Sequence, residues 1–199
     1  MESKHKNALI GALLAVVFVM AVGYAAFAQL LTINGTATID SKWDVHFDPT
    51  QDSTEGVAIT NGGSDQTTSG TIAYSSGNTI ATLTAGLKQP GDVVTFTLKP
   101  TNYGSLAAHA QAAPVIAAAD TETGLTVASG GQSATKGNIE WRIVSFSNET
   151  SLPGANGNAV TASNQDTIVV SATFTGGNNE AVTANQSAAI KITINYVQV

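Results

Sequence analysis

Short runs of alternating apolar and polar residues, each cut off by a cluster of Gly, Asn, Ser or Pro, constrain this chain more than any other feature. A period of two places successive side chains on opposite faces of a strand, so each run describes a strand with one buried face. Trp43-Asp44-Val45-His46-Phe47-Asp48 alternates in this way. So do Val94-Thr95-Phe96-Thr97-Leu98-Lys99, Ile139-Glu140-Trp141-Arg142-Ile143 and Ile190-Lys191-Ile192-Thr193-Ile194-Asn195-Tyr196. Residues 167–174 are strand-rich, and weaker strands are expected at 57–60, 71–75, 79–83 and 106–118. Breakers such as Asn61-Gly62-Gly63, Ser76-Gly77-Asn78, Gln89-Pro90-Gly91-Asp92 and Gly154-Ala155-Asn156-Gly157 separate them and supply turn chemistry. Many short strands at this spacing predict an all-β fold, a β-sandwich. The Ala-rich stretch 106–119 is interrupted by Pro114, which argues against a helix there. The Asn-rich region 147–165 is expected to be a long exposed loop.

Composition narrows the function. Only 11% of the 199 residues are charged, with 8 Lys and Arg against 14 Asp and Glu. A nucleic-acid partner is disfavoured, because phosphate binding needs a basic face. There is no Cys, which removes disulfides, thiolate metal sites, thiol nucleophiles and Cys lipidation.

The first residues have the layout of an export signal. Lys4, His5 and Lys6 precede an apolar run over residues 8–22, and small residues follow in Tyr24-Ala25-Ala26-Phe27-Ala28. Cleavage after Ala25 and cleavage after Ala28 both fit, giving a signal peptide at 1–25, or up to 28. An uncleaved anchor is the alternative, since the apolar run nearly reaches the length of a membrane span. Membrane contact is otherwise expected only through this leader, before cleavage.

The next segment is apolar and rich in β-branched residues, yet it would lie at the free end of the trimmed chain. Leu31, Ile33, Gly35, Ala37 and Ile39 share one parity with Trp43, Val45 and Phe47. An exposed apolar strand is a liability unless it is paired. It either pairs within its own domain or is donated to a neighbouring subunit by strand addition. Both options are open at this point. Residues 26–39 are a candidate donor strand carried by Leu30, Leu31, Ile33, Ala37 and Ile39, and residues 40–199 form the sandwich domain.

One region has a more specific signature. Leu87, then Pro90-Gly91-Asp92 and Phe96, then Asn102-Tyr103-Gly104-Ser105-Leu106, resembles the "L-K-P-G-D … F … N-x-G-S-L" region of the TasA and camelysin family of secreted biofilm-matrix fibre proteins. The leader end at Tyr24-Ala25-Ala26-Phe27 and the final strand at 189–194 are similar in character. Gln89, inserted before Pro90, departs from the pattern, as does the low charge. The resemblance implies a jelly-roll-like sandwich, secreted as a subunit and polymerised head to tail by donor-strand complementation. That homopolymer is the partner expectation. A monomeric surface adhesin or accessory matrix protein with the same sandwich is the alternative.

Catalytic chemistry is not indicated. His5 lies in the leader, which leaves His46 and His109, and neither an H-E-x-x-H helix nor a G-x-S-x-G elbow is present. Camelysins have been called metallopeptidases, but these residues offer no such site, and no cofactor is expected. His46 is expected on the solvent face of its strand and His109 as a partly buried polar residue. Asp48, Asp52 and Glu55 are a weak cation-binding loop set against an ordinary acidic turn. Trp43 and Trp141 are expected to pack in the core rather than to stack on sugars. Three Asn-x-Ser/Thr triplets, at Asn34, Asn148 and Asn185, match the N-glycosylation pattern.

Overall fold

The computed structural model describes residues 2–27, 41–49, 56–62, 68–176 and 186–199. The chain divides into two compact units, Met1–Ile39 and Asp40–Val199. The first holds one helix, α1 (Glu2–Phe27). Its side chains are described from Lys4 to Met20 and are exposed on every side, Leu9, Leu13, Val16 and Phe18 among them. Among the described residues, no helix is long and apolar enough to cross a membrane.

The second unit is all-β. In chain order its strands are β1 (Val45–Phe47), β2 (Val57–Thr60), β3 (Ser69–Ser75), β4 (Ile80–Leu87), β5 (Val93–Leu98), β6 (Pro100–Asn102) and β7 (Ala108–Ala110). They continue with β8 (Val115–Ala118), β9 (Thr126–Val127), β10 (Ser133–Lys136), β11 (Ile139–Phe146), β12 (Ile168–Phe174), β13 (Gln186–Thr193) and β14 (Tyr196–Gln198). A six-stranded sheet runs β2-β5-β12-β11-β10-β9 and a four-stranded sheet runs β3-β4-β13-β8. Among the described residues two ribbons, β1-β6 and β14-β7, accompany them, and every strand pairing is antiparallel.

The two large sheets share one apolar core. Alternation decides who enters it: Val94, Phe96 and Leu98 of β5 are fully buried while Thr95 and Thr97 between them are not. Phe96 stacks on Trp141 of β11 with ring centroids 5.6 Å apart, and Leu83, Leu87, Ile190 and Ile192 close the core from the other sheet. Burying such a side chain is worth roughly 1.5–3 kcal/mol.

Three expectations change. The alternating run from Ile190 to Tyr196 is not one strand: β13 ends at Thr193, and β14 begins at Tyr196 in a different sheet. The stretch 106–118 is likewise two strands, β7 and β8, broken where Pro114 removes a backbone donor. The region 147–165 is not simply an exposed loop. Leu152, Ala155 and Asn164 are buried, because Leu152 exchanges backbone hydrogen bonds with Ala108 and the Ala155 N–H donates to the Asn102 carbonyl.

Candidate functional site

The residues of the sequence signature build scaffolding. Gly91 turns the chain at φ +90°, a conformation cheap only for glycine, so Asp92 can fold back over the turn. The Asp92 carboxylate is fully buried and accepts the N–H groups of Gly62 (2.9 Å), Lys88 (2.9 Å) and Gln89 (3.1 Å). Burial works to raise its pKa, but these donors prevail and hold it below the ordinary carboxylate value. The inserted Gln89 thus joins the turn as a donor. Leu87 ends β4 in the core, Pro90 precedes the turn glycine, and Phe96 is the central core residue of β5.

The second half of the signature clamps the chain segment that precedes β1. Asn102 is fully buried and saturated: its Nδ2 donates to the Leu106 carbonyl (2.7 Å) and the Leu152 carbonyl (2.8 Å), and its Oδ1 accepts from the Gly104 N–H (3.0 Å). The Tyr103 N–H donates to the Asp44 carbonyl (2.8 Å) and the Ser105 N–H to the Lys42 carbonyl (2.9 Å). The Lys42 N–H donates back to Ser105 Oγ at 2.8 Å. Gly104 makes this approach possible, since a Cβ there would lie 2.3 Å from the Lys42 carbonyl oxygen. Residues 42–44 are thereby fixed as the root of the N-terminal segment.

That root opens onto a slot of about 190 Å³, lined by Trp43, Val45, His46, Phe47, Thr79, Pro100, Ile194, Asn195 and Tyr196. Its walls are two strand edges. On one wall Lys42, Asp44 and His46 spend their backbone groups on residues 105, 103 and 101. In an antiparallel ladder the intervening residues then point their N–H and C=O the other way. Trp43, Val45 and Phe47 therefore face the slot, and among the described residues only the Phe47 N–H finds a backbone partner on that side, the Asn78 carbonyl (2.8 Å) at one end. On the opposite wall the Gln111 N–H bonds the Asn195 carbonyl and the Val199 N–H bonds the Ala107 carbonyl. Ile194 and Tyr196 consequently aim their backbone groups into the slot. The cause is a length mismatch. β4 covers β13 from Gln186 to Ile192, but β4 begins after the turn at Ser76–Thr79, so the chain beyond Ile192 loses its partner on that side.

Side chains hold the walls in place. His46 Nδ1 lies 2.8 Å from Asp44 Oδ1, and its ring stacks on Tyr103 with centroids 4.5 Å apart. Burial tends to raise the Asp44 pKa, but bonds to Lys42 and His46 keep it below the ordinary carboxylate value. Tyr196 OH donates to Asp166 Oδ2 at 2.7 Å, and burial together with this carboxylate pushes the phenol pKa far up. Asp166, fully buried, ties β14 to the loop after β11 through Ser147 Oγ and the Glu149 N–H.

Other expected site residues fall as follows. Trp141 is fully buried, but Trp43 is 45% exposed and lines the slot, so it is not a core residue: it precedes β1, whose buried member in the core is Phe47. His46 is half-buried against Tyr103 rather than on an open face. His109 is half-buried in β7, and its buried Nδ1 has no hydrogen-bond partner among the described residues. Along Ile190–Ile192 the C-terminal strand is paired on both sides, by β4 and β8. Leu30, Leu31, Ile33, Ala37 and Ile39 lie outside the described residues, as do Asp52 and Glu55; Asp48 is buried. Among the described residues, no three His, Asp or Glu side chains converge as a metal site. No protein-family model, curated protein or solved structure matches the chain.

Proposed function

We propose that this chain is an exported structural subunit that polymerises into filaments by strand donation. The donor is residues 26–39 of one subunit, with Leu30, Leu31, Ile33, Ala37 and Ile39 as its buried face, and the acceptor is the slot of the next. The observation that carries this reading is the pair of strand edges at Trp43–Phe47 and Ile194–Tyr196 that line one slot and are left unpaired among the described residues. A strand laid between them gains backbone partners on both sides, while alternate side chains meet Val45, Phe47, Pro100 and Ile194. Burying two or three Leu or Ile side chains contributes roughly 1.5–3 kcal/mol each, offset in part by the cost of ordering the segment. Contacts of this kind are heterologous and do not close, so they build an open filament. The sandwich is read as jelly-roll-like and the leader as a signal peptide, in keeping with the resemblance to the TasA and camelysin family. The signature residues Gly104 and Ser105 fix the root from which the donor departs.

A synthetic peptide of residues 29–39 tests the acceptor against a domain trimmed to residues 40–199. Trp43 lines the slot and Trp141 is buried in the core. Saturable binding with a change in Trp43 fluorescence, lost in Trp43→Phe, is expected. A peptide that leaves the spectrum and the melting temperature of the trimmed domain unchanged contradicts the acceptor assignment.

A further inference from the structure

We infer that Asn148 is an N-glycan acceptor on the exported subunit, a conclusion that rests on the export reading and lies outside the slot. Asn148-Glu149-Thr150 is an Asn-x-Thr triplet with no proline at the middle position. Asn34 and Asn185, in the other two triplets, lie outside the described residues. In a chain this rich in Asn and Thr a triplet arises easily by chance, so the local fold decides. Asn148 follows β11 in an exposed loop at φ +50°. Both its neighbours are held by one buried carboxylate: Ser147 Oγ donates to Asp166 Oδ1 at 2.7 Å, and the Glu149 N–H donates to the same oxygen at 2.9 Å. The Thr167 N–H adds a third tie, to Ser147 Oγ at 2.9 Å. The Asn148 carboxamide and the Thr150 hydroxyl are left out of this net and make no hydrogen bond among the described residues. Asn102 and Asn164 behave differently, with side-chain oxygen and nitrogen both engaged.

The chemistry is a group transfer. The Asn148 Nδ2 forms a bond to C1 of an oligosaccharide carried on a lipid diphosphate. The C1–oxygen bond breaks, the lipid diphosphate leaves, and the amide gives up one proton. Thr150 supplies the hydroxyl that the transferase reads. Asn148 itself is not among the residues that line the slot.

Intact-mass measurement and peptide mapping of the protein recovered from its own cells test this. The peptide holding Asn148 is expected to carry added glycan mass. Asn148→Gln and Thr150→Ala should each abolish it, whereas Thr150→Ser should retain it. A chain with a trimmed N-terminus and an unmodified Asn148 overturns the glycan and leaves the export reading standing. A chain that keeps Met1 and carries an unmodified Asn148 overturns both.

Discussion

At the scale of single residues, the signature is explained by what its atoms do. Replacing Phe96 by Ala removes a fully buried ring that stacks on Trp141 and should cost about 3–5 kcal/mol in a denaturant titration. Asp92→Asn exchanges a carboxylate serving three backbone donors for a neutral amide and should cost roughly 1.5–3 kcal/mol. The Asp92 and Asp44 pKa values are both depressed from 3.8, and that of Glu122, paired with Lys136, from 4.5. A depressed carboxylate contributes stability that is fully present above its unfolded value and is lost as pH falls through the folded one. Stability should therefore hold down to about pH 4.5 and decline below it. Asp92→Asn should flatten that decline, which thermal melts across pH 2–6 would show. The inward positions of β5 were legible because strict alternation over six residues admits one face assignment. The exposure of Trp43 was not, because alternation reports which face a residue takes and not whether anything covers that face.

At the scale of elements, the slot exists because two neighbouring strands end at different places. The sequence marks the turn at Ser76-Gly77-Asn78, and it marks the alternating run from Ile190 to Tyr196. It does not mark that the run outlasts its partner strand, since that mismatch appears only once β13 is registered against β4. The short strands β6, β9 and β10 escaped for a related reason: pairing with distant segments makes them strands, not a local pattern. The root of the N-terminal segment offers a sharp test. Gly104→Ala places a methyl against the Lys42 carbonyl and should strip residues 42–44 from residues 103–105. Amide exchange at Tyr103 and Ser105 is expected to accelerate at least tenfold, with protection at Phe96 retained. Unchanged exchange at Ser105 would show that the root tolerates the added carbon.

At the scale of the whole molecule, the fold leaves a slot between two strand edges, and the apolar segment 26–39 precedes one of those edges in sequence. Ile33→Asp puts a carboxylate where an apolar side chain is expected to be buried, and an unpaired buried charge is heavily penalised. It should abolish filaments while leaving the melting temperature of residues 40–199 unchanged. The most direct measurement is negative-stain microscopy of the full trimmed subunit beside a variant lacking residues 29–34. Strand donation predicts filaments from the first and a folded, soluble monomer from the second. Ordered filaments from the deletion variant would contradict strand donation, and a deletion variant that unfolds where the wild-type monomer is stable would place the segment in its own subunit's sheet.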